Sequence, residues 1–176
     1  MSSNDLSDRI LKISLLVLDV DGVMTDGRII YGDYGDELKC FDVQDGLGIA
    51  LLKRVGIPTA IISAKKSKIN QRRAKELGVY KLFQKVPDKL KVFERLIKKL
   101  RLKPEQACFI ADDLVDIPVL SRVGLAVGVK NAVEEVKEIA HYVTLKNGGR
   151  GAVREIVDLI LKTQGKWEQA TERYFK

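Results

Sequence analysis

At 176 residues and 45% apolar content, the chain can build the core of one domain and is short for two. No run approaches the ~18 apolar residues of a membrane span, the first residues lack the basic-then-apolar order of a secretory signal, and Cys40 and Cys108 form neither a CxxC pair nor a disulfide framework. A cytoplasmic location and no membrane partner are therefore expected. Thirty-one basic against 24 acidic residues give a net charge of +7, which suggests an anionic partner, and the lone His141 leaves little room for histidine-based catalysis.

In chain order, Leu15-Leu16-Val17-Leu18 reads as a buried strand and residues 45–54 as a helix that breaks at Gly56-Ile57-Pro58. Thr59-Ala60-Ile61-Ile62 is a second buried strand. A helix over 68–77 stops at Gly78. Residues 80–83 form a short third strand. The helix over 89–100 carries Leu90, Phe93, Leu96, Ile97 and Leu100 on one face. Strands at 108–110, 125–127 and 142–144 alternate with helices at 114–122, 133–140 and 152–162. Such alternation predicts an α/β fold, a Rossmann-like parallel sheet with helices on both faces. Its ligands would bind outside the carboxyl ends of the strands. One segment breaks the rhythm: polar arms at 28–31 and 37–41, joined by Gly32-Asp33-Tyr34-Gly35, predict a projecting β-hairpin.

The aspartates are unevenly placed. Ten of fourteen fall within residues 19–45 and 112–116. Asp19-Val20-Asp21-Gly22 follows the first buried strand directly, and Asp112-Asp113-Leu114-Val115-Asp116 follows the fourth. Like charges ~4 Å apart repel by roughly 4 kcal/mol at an effective dielectric of 20, so two acid clusters at one sheet edge call for a cation. All-oxygen ligands suit Mg²⁺. A calcium loop is excluded because Val23 stands where an acid or amide is required. The plain alternative is that each aspartate caps a helix.

Four motifs in this order, Asp19-Val20-Asp21-Gly22-Val23-Met24-Thr25, Ser63, Lys89 and Asp112-Asp113-Leu114-Val115-Asp116, resemble the signature of the haloacid dehalogenase superfamily of phosphotransferases. Across roughly residues 14–165 the chain is similar to that superfamily's cap-less phosphatases that free an eight-carbon keto acid from its phosphate for lipopolysaccharide synthesis. The resemblance implies a Mg²⁺-dependent, cytoplasmic homotetramer acting on a small phosphorylated sugar acid. It implies Asp19 as nucleophile, forming an aspartyl-phosphate, and Asp21 as the acid and base for leaving group and water. The cation would lie between Asp19, the backbone carbonyl of Asp21, and Asp112. Asp113 and Asp116 would orient Lys89 rather than bind the cation directly.

Ser63 and Lys89 would hold the phosphoryl group; their plain alternatives are a strand-end cap and a solvated helix lysine. Asp21, Asp42, Val43, Gln44, Asp45, Gly46, Lys65, Arg73 and Lys89 would contact substrate. The chain departs from many relatives at Ser63-Ala64-Lys65, which replaces Thr-Gly-Arg and puts a point charge where a planar fork would sit. Ala111 stands where a glycine is usual.

Gly148-Gly149-Arg150-Gly151 reads either as an anion-binding helix start or as an ordinary turn. His141 reads as structural, and both cysteines as core or strand residues. Trp167, Tyr174 and Phe175 give the tail three of the eleven aromatics, so it packs either on its own domain or on a neighbouring subunit. Two further alternatives stay open: a nine-carbon keto-acid 9-phosphate as substrate, and a non-catalytic domain on the same fold. A nucleic-acid partner is not expected, because no basic stripe interleaved with aromatics is present.

Overall fold

The computed structural model describes residues 3–34 and 36–176. Strands β1 (Leu15–Leu18), β4 (Thr59–Ile62), β5 (Lys81–Phe83), β6 (Ala107–Ala111), β7 (Leu125–Gly128) and β8 (Tyr142–Val143) form one sheet in the order β5-β4-β1-β6-β7-β8. Every pairing in it is parallel. Strands β1, β4, β6 and β7 are buried along their whole length, as expected of apolar runs covered on both faces.

The chain leaves β1 toward β4 and β5, then returns past β1 to β6, β7 and β8. Right-handed crossovers in opposite directions place their helices on opposite faces. On one face α2 (Val43–Arg54) packs against α7 (Ala152–Thr163) and α8 (Trp167–Thr171). On the other, α4 (Lys89–Leu100) packs on α5 (Ile117–Leu120), which packs on α6 (Glu134–Ile139). Helix α3 (Lys68–Glu76) links β4 to β5. The expected apolar stripe of α4 enters the core, with Phe93, Leu96 and Ile97 buried and Leu90 and Leu100 packed beside them.

Four local expectations change. Helix α2 begins at Val43, not at 45, because the Asp42 carboxylate accepts the free amides of Gln44 and Asp45. The predicted helix at 114–122 is a 3₁₀ turn, Leu114–Asp116, followed by the short α5. Pro118 has no N–H to give and is tolerated only in a helix's first turn, so α5 has to begin at Ile117. An N-terminal helix, α1 (Ser3–Leu11), adds the buried Ile10 to the core and packs on α7. The hairpin is present but its ladder is short. Strands β2 (Ile30–Tyr31) and β3 (Glu37–Leu38) pair antiparallel, Ile30 opposite Leu38. Gly35 of its turn lies outside the described residues.

Candidate active site

Strands β4, β1 and β6 lie side by side, and the residues that follow them, Ser63, Asp19 and Asp112, meet at the carboxyl edge where the crossover direction reverses. The Asp19 amide continues the ladder by donating to the Ile110 carbonyl (3.1 Å). Lys89, the first residue of α4, enters from the side, capped there by the Asp88 carboxylate, which accepts the Lys91 amide.

Lys89 is buried, and its Nζ pairs with Asp19 Oδ1 at 2.9 Å and Asp116 Oδ1 at 2.6 Å. The solvated-lysine alternative is therefore removed. Asp19, Asp112 and Asp116 each offer a carboxylate oxygen within 4.8 Å of the others. One ammonium does not balance three carboxyls. Burial pushes the Asp19 carboxyl up against the pull of Lys89. Burial, then the charge of Asp19, also pushes both Asp112 and Asp116 up to about 7.

Asp112 Oδ1 and Asp116 Oδ2 are buried and lack hydrogen-bond partners among the described residues. A methyl group on Gly22 would lie 1.9 Å from Asp112 Oδ2, so only glycine lets the Asp19–Asp21 turn come this close. Oxygen donors, excess negative charge and unpartnered lone pairs fit a hard divalent cation. Asp116 sits closer to this cluster than expected: it pairs with Lys89 and also brings a carboxylate oxygen within 4.8 Å of those of Asp19 and Asp112. Asp113 does not reach Lys89. It is exposed, and its carboxylate accepts the amide of Leu114 (2.7 Å). Ala111 fits in the core with no exposed surface, so its methyl is accommodated.

Ser63 is buried at the end of β4. Its hydroxyl accepts the Lys65 amide (3.2 Å) and donates to the Lys65 carbonyl (3.3 Å), so the strand-end cap is present and holds the Lys65 loop against the site. Lys65 itself is exposed. Arg73 of α3 lies against the α2 start, where its Nη2 donates to the Asp42 carbonyl (3.1 Å) and its guanidinium stands 5.5 Å over the Phe41 ring. A methyl on Gly46 would strike Arg73 Nη2 at 2.6 Å. Asp42, Gly46 and Arg73 are thus brought together, with Val43 and Gln44 exposed beside them.

Asp45 departs from the expected substrate contact. It is buried and turned inward, where Oδ1 accepts the Arg154 amide (2.8 Å) at the start of α7. The helix start at Gly151 is therefore filled by the chain's own carboxylate and not by a ligand. Burial, opposed by that hydrogen bond, raises Asp45 to about 6 from an ordinary 3.8. A carboxyl raised on folding stabilises the fold below pH 3.8, and that contribution is lost as pH rises through about 6. In urea unfolding, wild type is expected to lose up to about 3 kcal/mol more than Asp45→Asn between acidic and mildly alkaline pH. Parallel pH–stability curves for the two proteins would contradict this.

Lys39 was not expected in the site. Its side chain is fully buried, and Nζ donates to Asp21 Oδ1 at 2.6 Å, with Glu37 Oε1 3.5 Å away. The one sequence signal was the alternation Glu37-Leu38-Lys39, which puts both charges on one face of the arm. The hairpin and α3 form a groove of about 460 Å³, lined among others by Phe41, Arg72, Arg73 and the same Lys39 that pairs with Asp21. Lys39→Met is expected to lower kcat on the order of tenfold by releasing the Asp21 carboxylate, with partial recovery in Lys39→Arg. Steady-state kinetics equal to wild type would refute that role.

Away from the site, His141 is structural, its Nδ1 accepting the Ala126 amide (2.9 Å). Cys108 is buried, whereas Cys40 is exposed on the outgoing hairpin arm, because the ladder ends at Leu38. The tail packs on its own chain: Trp167 lies against the core, and Arg54 donates to the Ala170 carbonyl and to the Tyr174 hydroxyl. Phe175 remains exposed.

A doubly wound parallel sheet whose central strand ends in DxD, flanked by a serine, a buried lysine and an acidic cluster, defines a phosphohydrolase of the haloacid dehalogenase type. The model of the haloacid dehalogenase-like hydrolases matches residues 49–156, which include Ser63, Lys89 and Asp112. The 3-deoxy-D-manno-octulosonate 8-phosphate phosphatase of Yersinia pestis is 47% identical over 169 residues, covering 96% of this chain and 90% of that protein. The enzyme of the same name from Moraxella catarrhalis, solved with magnesium ion, phosphate ion and KDO, superposes with a TM-score of 0.95 at 40% identity, covering 99% of this chain and 100% of that one. A probable phosphatase of the yrbi family from Pseudomonas syringae superposes with a TM-score of 0.96 at 48% identity, covering 99% of both chains. The chain belongs to the 3-deoxy-D-manno-octulosonate 8-phosphate phosphatase family of haloacid dehalogenase-like hydrolases.

Proposed function

We propose that the chain, acting as one domain over residues 1–176, hydrolyses 3-deoxy-D-manno-octulosonate 8-phosphate to the sugar acid and phosphate in the cytoplasm, for lipopolysaccharide synthesis. The observation that carries the reading is the buried Lys89 held between Asp19 and Asp116 beside the unpartnered oxygen of Asp112. Asp19, Asp112 and the Asp21 carbonyl would hold Mg²⁺, with Asp116 completing the negative cluster. The bound cation supplies charge that lets carboxylate and phosphate approach each other.

Lys89 engages Asp19 Oδ1, which leaves the other oxygen to attack phosphorus. The bond from phosphorus to the sugar oxygen breaks as Asp21 gives that oxygen a proton. Asp21 then takes a proton from water, which attacks phosphorus and frees Asp19 and phosphate. Lys89 and Ser63 stabilise the charge on the phosphoryl oxygens. The sugar acid occupies the groove between hairpin and α3. Arg73 and Lys65 face its carboxylate, and Asp42, Val43, Gln44 and Gly46 line the α2 start.

We also read the protein as a homotetramer. Ile30, Tyr31, Tyr34 and Leu38 of the hairpin and Phe175 of the tail are exposed apolar groups that a neighbouring subunit would cover. Such neighbours would also exclude water from the site. Removal of residues 166–176 is expected to reduce both assembly size and turnover, read by light scattering and phosphate release. An unchanged size with unchanged turnover removes this part of the reading.

The central test is phosphate release from a panel of sugar phosphates, with and without chelator. The eight-carbon keto-acid 8-phosphate should give the highest kcat/KM, and chelator should abolish it. Best turnover on a nine-carbon 9-phosphate would overturn the substrate assignment, and no release from any compound would overturn the enzyme reading.

A further inference from the structure

The double glycine at Gly148-Gly149 is not an anion site, since Asp45 fills the start of α7. It stands instead against the turn that carries Asp21. A methyl on Gly148 would lie 1.7 Å from the Gly22 carbonyl oxygen, and one on Gly149 would lie 2.5 Å from the Thr25 carbonyl carbon. Backbone is therefore packed directly on backbone, and Gly149 N–H donates to the Val23 carbonyl (2.9 Å).

Asn131, in the loop after β7, locks the two segments with one side chain. Its Oδ1 accepts the Gly148 amide at 2.6 Å, and its Nδ2 donates to the Gly22 carbonyl at 3.3 Å. The same loop holds β6 and its aspartate, with Val129 N–H donating to the Ala111 carbonyl and Val133 N–H to the Asp112 carbonyl. On the other side of Gly22, its N–H donates to Thr25 Oγ1 (3.3 Å). Both peptide planes flanking Gly22 are thus fixed, one by Thr25 and one by Asn131. The first of those planes contains the Asp21 carbonyl.

We propose that Asn131, with Gly148 and Gly149, is a positioning unit for the cation: it sets the Asp21 carbonyl and the Asp112 carboxylate at the separation that Mg²⁺ requires. This rests on the reading of Asp21 and Asp112 as cation ligands. Mg²⁺ demands near-ideal octahedral geometry, so a small displacement of one oxygen weakens binding. Partners that orient metal ligands typically govern affinity by about 10- to 100-fold.

The test is calorimetric titration of Mg²⁺ alone into resting wild type, Asn131→Ala and Asn131→Asp, with melting temperature measured in chelator. Asn131→Asp keeps the acceptor for Gly148 N–H but replaces the donor to Gly22 with a charged oxygen, so it breaks the Gly22 half of the clamp if the alanine variant fails to fold. A Mg²⁺ affinity that falls despite the added negative charge reports on geometry. At least about tenfold weaker Mg²⁺ binding is expected in a variant that still melts cooperatively. The Mg²⁺ needed for half-maximal phosphate release should rise in step. A folded variant that binds Mg²⁺ within twofold of wild type would overturn the proposal. Wild type that binds Mg²⁺ but releases phosphate from no sugar phosphate would instead overturn the functional reading and leave the clamp standing.

Discussion

Asp19→Asn is expected to reduce phosphate release on the order of 10⁴-fold or more, because the carboxylate oxygen proposed to attack phosphorus is replaced by an amide. The fold should survive. Asp19 is a buried carboxyl already pushed up by burial and crowded by Asp21, Asp112 and Asp116. Removing its charge leaves the single ammonium of Lys89 paired with Asp116. In the absence of Mg²⁺ the variant should therefore melt no lower than wild type. It should also gain less from added Mg²⁺, since one of the proposed oxygen ligands has become a weaker donor. Phosphate release at saturating substrate and a melting curve in chelator check both parts. Turnover within tenfold of wild type would remove Asp19 as the nucleophile, whatever the melting temperature.

Lys89→Met has the second large effect, and it strikes stability and activity together. Asp116 has no exposed surface, and its ion-pair partner is Lys89. Taking away one member of a buried pair strands the other, at a cost of about 3–5 kcal/mol. For a chain of this length that lowers the melting temperature by roughly 10 °C. Loss of the cation proposed to face the phosphoryl oxygens should lower kcat by about 10²- to 10³-fold.

The double variant Lys89→Met with Asp116→Asn separates the two losses. It removes the stranded charge, so most of the stability returns, while activity stays low. Recovery of activity in the double variant would mean that Lys89 acts only by neutralising Asp116. A single variant as stable as wild type would mean that Asp116 is held protonated by its surroundings and needs no cation.

Much of the site was legible because its residues sit where local rules place them. Asp19, Ser63 and Asp112 each follow a buried apolar run, and such runs mark the strands of a parallel sheet. Lys89 follows Pro87-Asp88, a helix-start signal, which put it at the beginning of α4. Asp45 and Asp116 were harder. Both are acids beside other acids, and nothing in sequence spacing tells an outward carboxylate from one turned into the core. Asp45 is held by Arg154 and Asp116 by Lys89, partners distant in the chain. The helix expected at 114–122 failed for a local reason that was readable, the restriction imposed by Pro118.

By itself the sequence determined the order and type of the main elements, the sheet edge at which the acids gather, and the net charge of +7 for the whole chain. These follow from periodicity, capping and composition, which are properties of neighbouring residues. Only the tertiary structure decided which acids come together and which one fills a helix start. It alone brought Lys39 from the hairpin to Asp21 and Asn131 between Gly22 and Gly148. Those contacts are fixed by how close two backbones can pack and by the need of buried polar groups for partners, and both are settled when distant segments meet.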